Sequence, residues 1–156
     1  MAALLEVEGI SKRFSGLKAV DSASFEVSQG GIVALIGPNG AGKTTCFNMI
    51  AGVYRPDSGR ITLAGRRIDG WRPDQVCKAG IGRTFQIVKP FVGLTVLENV
   101  VVGALNASAD VATAEASSLR ILGDVGLAAK ADMPASALTL PDRTRLEVAR
   151  PLATGP

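Results

Sequence analysis

In two stretches of the N-terminal region apolar and polar positions alternate with a period of two, the spacing at which side chains of an extended chain share a face. Residues 4–10 and 19–27 therefore read as strands, with Phe25 and Val27 on one face, joined through the basic, turn-like segment SKRFSGLK. Residues 31–37, GIVALIG, form an uninterrupted apolar run with the length and composition of a strand buried in a parallel sheet. TTCFNMIAG follows as a helix that stops at Gly52, and YRPDSG is a turn by its Pro, Asp, Ser and Gly content. GRITLAGRRI reads as a further strand, residues 72–79 as a short helix with Pro73 near its start, and IGRTFQ as a strand leading into a loop. After Pro90 the period changes. Residues 95–105, 111–123 and those from about 141 onward are helical in spacing and rich in alanine, with Thr95 as a cap and Glu98 as its capping-box partner.

Composition narrows the class. The 156 residues, 47% apolar and 20% charged, are one domain's worth of soluble globular chain, enough to bury a core. No apolar run approaches the roughly 18 residues needed to cross a bilayer, and MAALLEVEGISKR has no basic segment ahead of an apolar one, so no secretory leader is read there. Cys46 and Cys77 are too few for a disulfide framework and lack metal-type spacing; Cys46 reads as a small buried hydrophobe. The formal charge of +3 suits an anionic ligand but does not argue for nucleic acid.

The chemistry sits between the apolar run and the first helix. Residues 37–45, GPNGAGKTT, satisfy the P-loop pattern G-x-x-x-x-G-K-[ST] with Gly37, Gly42, Lys43 and Thr44 in the fixed places. A polyphosphate is a dense anion, so several N–H donors must converge on it from a curved backbone, and glycines permit that curve. Gly37, Pro38, Asn39, Gly40, Ala41 and Gly42 would cradle the phosphates, and Lys43 would reach the β- and γ-phosphates. The Thr44 hydroxyl would take a Mg²⁺ position, and Thr44 and Thr45 open a helix whose N–H groups face the same anion. No N-K-x-D guanine-reading segment is present, which makes a GTPase the least expected reading.

The loop alone does not separate kinases, GTPases, helicases and transporter ATPases; four landmarks in order do. Phe14 lies 23 residues before Gly37, and Gln86 ends GIGRTFQ about 40 residues past Lys43. FVGLTVLENVVVGAL follows, and LTLPDRTRLEVAR occupies residues 138–150. By residue type alone, a core position for Phe14 and an exposed loop for Gln86 are the lesser alternatives. Together the landmarks resemble the nucleotide-binding subunits of ABC transporters, most closely the ATPase subunits for branched-chain and other hydrophobic amino acid uptake, over essentially the whole chain.

That resemblance implies an α/β fold: a P-loop NTPase core with an N-terminal antiparallel β portion and an α-helical subdomain, the C-terminal part of the sheet missing. The implied division is 1–89 for the ATP-binding core, 90–150 for the helical subdomain and 151–156 for the start of a connection to an absent Walker B strand. Phe14 would stack on adenine. Gln86 would touch the Mg²⁺ or the attacking water and act with Lys43 in catalysis, and the loop 86–94 would face a membrane-spanning subunit. The implied setting is peripheral, on the cytoplasmic face of the cell membrane, with a second ATP-binding subunit bound head to tail as a homo- or heterodimer. No nucleic acid is expected.

Two departures qualify the match. Where the family carries LSGGQ, which caps the γ-phosphate held by the other subunit, this chain has Leu138 followed by Thr139, Leu140, Pro141 and Asp142. Pro141 has no N–H to donate, and Asp142 either brings a negative charge towards the phosphate or serves the first turn of its own helix. The expected consequence is an asymmetric pair, with this chain's P-loop completed by an intact partner signature and the reverse site poor. The second departure is the lack of an apolar strand ending in Asp-Glu and of any histidine. The intact protein is expected to be an ATPase, while this stretch by itself binds ATP and hardly hydrolyses it. Uncovered sheet would leave the isolated stretch marginal or aggregation-prone. The alternatives are a non-hydrolysing nucleotide-binding or regulatory module and a nucleic-acid-associated ABC ATPase.

Overall fold

In the computed structural model, which describes residues 3–85 and 90–156, the chain divides near residue 79 into two compact units. The first is built on the alternating N-terminal sequence. Strands β1 (Ala3–Phe14) and β2 (Leu17–Ser28) form a long antiparallel ribbon turning at Ser15 and Gly16. SKRFSGLK is thus mostly strand, and the connection is tighter than its composition suggests. β3 (Ser58–Leu63) pairs with the other edge of β1, and β4 (Arg66–Arg67) with β3, giving the antiparallel order β2-β1-β3-β4. The stretch read as one strand at 59–68 is a tight hairpin, because Ala64 and Gly65 both take positive φ (48° and 77°). That pair of angles is the turn that matches strand twist.

Helix α1 (Lys43–Ile50) buries Cys46, Met49 and Ile50, and Val7, Ile10 and Ile61 of the sheet are also buried in this unit. Each such aliphatic side chain contributes about 1.5–3 kcal/mol by leaving water. Burial raises the Cys46 thiol pKa and keeps it protonated, as a small hydrophobe should be. A short helix α2 (Pro73–Lys78) starts at the proline as the sequence requires. The Arg66 guanidinium lies 4.4 Å over the Trp71 ring.

Two expected strands do not form. Residues 31–37 have no strand pairing, and Ile32 and Ile36 are 99% and 91% exposed. Residues 81–85 are also without strand structure. A parallel strand needs hydrogen-bonded neighbours and covered faces, and the four described strands pair only with one another.

The second unit is helical: α3 (Val96–Ala104), α4 (Val111–Asp124) and α5 (Leu140–Ala153). Val96, Val100 and Ala104 recur at four-residue spacing and share a core with Leu122, Leu127 and Leu146. α3 begins with a complete capping box: Glu98 N–H donates to Thr95 Oγ1 at 3.1 Å, and Thr95 N–H donates to Glu98 Oε2 at 2.7 Å. Two more first-turn amides, of Val96 and Leu97, reach the carbonyls of Met133 and Ala131 at 2.9 Å each. Among the described residues no helix is long and apolar enough to cross a membrane.

Candidate functional site: a phosphate loop and a self-paired helix terminus

The loop at residues 37–45 takes the form its glycines were expected to allow. Gly40 and Gly42 both lie at φ 85°, the left-handed region, and Gly42 is the N-cap of α1. A Cβ on Gly42 would stand 2.0 Å from the Ala19 carbonyl oxygen, so the loop crosses β2 where no side chain fits. Cys46 N–H closes the first helical bond, on Gly42 O at 2.9 Å. The amides of Lys43, Thr44 and Thr45 precede that bond and so have no acceptor inside the helix, while the helix dipole adds positive potential at the same end. Ala41 N–H turns back to Pro38 O at 3.2 Å. Lys43 Nζ donates to Gly37 O at 2.6 Å and Pro38 O at 2.7 Å, which places the ammonium inside the curve of its own loop. Asn39, Gly40, Ala41 and Thr44 are exposed. The donor set is therefore an ammonium, a hydroxyl and a helix N-terminus behind a glycine curve, which fits a magnesium–nucleotide polyphosphate.

Phe14, also in the first unit, ends β1 with 38% of its surface exposed. It is neither core nor loose: Tyr54 meets it edge-on with centroids 5.2 Å apart, and Lys12 Nζ lies 5.8 Å from its ring centre. Lys12 is itself fixed by Asp57 at 2.7 Å and the Arg55 carbonyl at 2.8 Å. Asp57 is held below the usual carboxylate range by Lys12 first and the Arg13 amide second. Tyr54 and Lys12 were not singled out from sequence, since an aromatic 40 residues beyond Phe14 carries no local signal.

Thr139, Leu140, Pro141 and Asp142 lie in the second unit, at the N-terminus of α5, with Thr139 as the N-cap. Of the two roles open to Asp142, the geometry takes the local one. Its carboxylate is nearly covered, accepts from Thr139 Oγ1 at 2.8 Å, and pairs with Lys130 and, at 3.4 Å, with Arg145. Lys130 first, then Thr139, hold its pKa below the ordinary value. Leu140 is 73% exposed, and Pro141 occupies the first turn. Arg145 could have been found from its three-residue spacing; Lys130, in the short 3-10 turn Ala128–Lys130, could not.

Gln86 lies outside the described residues. The chain on either side of it is described. Phe85 N–H donates to Glu147 Oε1 at 3.2 Å, and Phe91 is bonded through both its N–H and its carbonyl to the Asn99 amide, at 2.8 and 3.1 Å. Among the described residues no group of histidine, cysteine or carboxylate side chains could hold a metal ion by itself. A Mg²⁺ at this chain would need phosphate oxygens as its other ligands.

Comparison with known proteins agrees with this geometry. The chain is 41% identical to the high-affinity branched-chain amino acid transport ATP-binding protein LivG of Salmonella typhimurium, over 98% of this chain and 66% of that protein. It is 36% identical to the corresponding protein BraF of Pseudomonas aeruginosa, again over 98% and 66%. The chain thus spans 66% of the length of these curated relatives. Among solved structures it is similar to the ADP conformation of an ATP-binding cassette of an ABC transporter, with a TM-score of 0.88 and 30% identity over 100% of this chain and 66% of the other. A nucleotide-free cassette gives 0.87 at 31% identity over 99% and 66%. The ABC transporter family model matches residues 20–156, and with the glycine curve, the helix terminus and the loop lysine in place the chain belongs to the ABC transporter family.

Proposed function

We propose that this chain is the nucleotide-gripping part of an ABC importer of branched-chain or related amino acids. It works peripherally, on the cytoplasmic face of the membrane, beside membrane-spanning subunits and a second cassette. The observation that carries the reading is the 37–45 loop, with left-handed Gly40 and Gly42, the free amide end of α1 and the Lys43 ammonium on one curve. The relatives' printed roles in branched-chain amino acid transport supply the substrate class. The loop amides and Lys43 bind the phosphates, Thr44 contributes its hydroxyl to Mg²⁺, and Phe14 holds the adenine face. Magnesium, when bound, neutralises charge between the β- and γ-phosphates. Within residues 1–156 the grip is present and an Asp-Glu pair is not, so this stretch binds ATP and turns it over slowly by itself.

The helix α5 terminus supports asymmetry between the two sites of a cassette pair. Asp142 is spent on Lys130 and Arg145, and Pro141 has no N–H, so this edge offers the partner's γ-phosphate few donors. Mutating the loop lysine of one cassette at a time should give unequal losses of turnover; equal losses would contradict the asymmetry. For the grip itself, Lys43→Ala should weaken binding of a fluorescent ATP analogue by about 10- to 100-fold, the size of one charge-assisted contact. Unchanged binding would remove the assignment.

A further inference from the structure

Arg66 and Trp71 have no part in the phosphate loop, yet the first unit brings them together at the edge of its sheet. Arg66 lies on the edge strand β4, and its guanidinium stands 4.4 Å over the Trp71 ring. The turn that carries the ring is held tightly: a Cβ on Gly52, just past α1, would stand 2.5 Å from the Trp71 carbonyl oxygen. The preceding residue, Gly70, carries a second guanidinium, since a Cβ there would meet Arg55 Nε at 3.3 Å. Arg55 and Arg66 are exposed and Trp71 is partly buried. The neighbouring arginines are neutralised. Arg67 is forked onto Asp69 at 2.8 and 2.9 Å, and Arg72 onto Asp74 at 3.0 and 2.8 Å. Among the described residues no carboxylate pairs with Arg55 or Arg66. The excess of +3 also lies wholly in this unit: residues 1–79 carry ten Lys and Arg against seven Asp and Glu, and residues 80–156 seven against seven.

Two guanidinium groups without a carboxylate partner, set around one indole, give a surface with a cationic rim and an apolar body. That chemistry suits the boundary between headgroups and acyl chains, where tryptophan has both an apolar and a wet side and each nearby cation is drawn to anionic lipid. Single-stranded nucleic acid fits less well, because stacking a base needs a bare ring face and Arg66 lies over this one. We propose that Arg55, Arg66 and Trp71 form a docking surface for anionic lipid headgroups. This surface lies outside the nucleotide grip and uses no residue of the 37–45 loop, so either can fail without the other.

The experiment mixes the full chain with vesicles of phosphatidylcholine holding about one third phosphatidylglycerol, and with vesicles of phosphatidylcholine alone. Trp71 is the only tryptophan, so its emission reports from the patch itself. It should shift to the blue with the anionic vesicles, stay unchanged with the neutral ones, and return in high salt, which screens surface attraction. In co-sedimentation, Arg55→Gln and Arg66→Gln should each lower partitioning about fivefold, the share of one cation at an anionic surface. Arg66→Lys keeps the charge and should recover most of that loss, whereas a role confined to packing on the ring would make it as poor as Arg66→Gln. Lys18→Gln removes the same charge from β2, at the opposite edge of the sheet. Three strand spacings separate the two edges, roughly 14 Å, beyond a screening length of about 8 Å, so this variant should partition like wild type. Should Arg66→Gln fail to fold, Arg55→Gln carries the same test. No shift with anionic vesicles, equal binding to neutral ones, or an equal loss in Lys18→Gln overturns the inference. So does a Trp71 shift given by single-stranded RNA or inorganic phosphate and not by vesicles. ATP-analogue binding keeps the two readings apart: Arg66→Gln should bind the analogue like wild type, and a chain that binds it but ignores vesicles loses only the docking surface.

Discussion

Three glycines in the phosphate loop differ in what a methyl group would meet, and this makes a graded test of the loop geometry. At Gly37 a Cβ would touch only the Ala41 Cβ, at 3.2 Å. At Gly40 it would meet nothing within 4 Å, but the residue would have to hold φ 85°. That angle costs an L-residue about 1–2 kcal/mol. At Gly42 the same angular cost applies, and the Cβ would also lie 2.0 Å from the Ala19 carbonyl oxygen, which is backbone and cannot rotate away. Overpacking of this kind adds about 1–3 kcal/mol as strands and helix shift apart. Gly42 caps α1 rather than lying inside it, so no helix-propensity gain offsets the loss. The expected order of destabilisation is therefore Gly37→Ala near wild type, Gly40→Ala about 1–2 kcal/mol, and Gly42→Ala about 2–5 kcal/mol. The last value is a large share of a domain's stability of about 5–15 kcal/mol. The single tryptophan, Trp71, lies in the same unit, so urea titration followed by its fluorescence reports from this unit. A Gly42→Ala midpoint at or above that of Gly40→Ala would refute the close approach to β2, and with it the curve from which the amides converge.

Two further outcomes are expected in the helical unit. Asp142 has its pKa lowered by Lys130 and Thr139. Its stabilising share is therefore fully present above the ordinary carboxylate value of about 3.9 and is lost as pH falls through the depressed folded value. The urea midpoint gap between wild type and Asp142→Asn, read by far-ultraviolet circular dichroism, should be flat near neutrality and close on acidification below about pH 4; a widening gap would contradict the pairing. Ser118, fully buried in α4, is the one buried side chain among the described residues with a polar atom that finds no hydrogen-bond partner. Ser118→Ala removes that orphan and gains helix propensity, so it should raise stability by about 1 kcal/mol in the same assay, and a loss of that size would mean that the hydroxyl has a partner.

Local chemistry was legible in the sequence, and pairing was not. The capping box at Thr95 and Glu98, the helix opening at Pro73 and the curve of 37–45 each follow from residues close together in the chain, and each formed as read. Residues 31–37 were read as a buried strand from an apolar run, yet Ile32 and Ile36 stand in solvent. Composition records a tendency to be buried; it does not supply the neighbour that satisfies the backbone. The Ala64–Gly65 hairpin was missed because alanine is an unusual residue for positive φ. Asp142 illustrates the same limit at the site: spacing pointed to helix service or to the phosphate, and only the fold brought Lys130 to it from twelve residues away.

Lys43 has a further consequence through its bonds to the Gly37 and Pro38 carbonyls. The ammonium acts as a strut that keeps the ring closed before any anion arrives. On the proposed reading, an incoming phosphate would exchange one set of oxygen acceptors for another and would not have to organise a slack loop. Removing the side chain would take away the clasp as well as the phosphate contact, so the loss of about 10- to 100-fold expected for Lys43→Ala is the least that the change should cost.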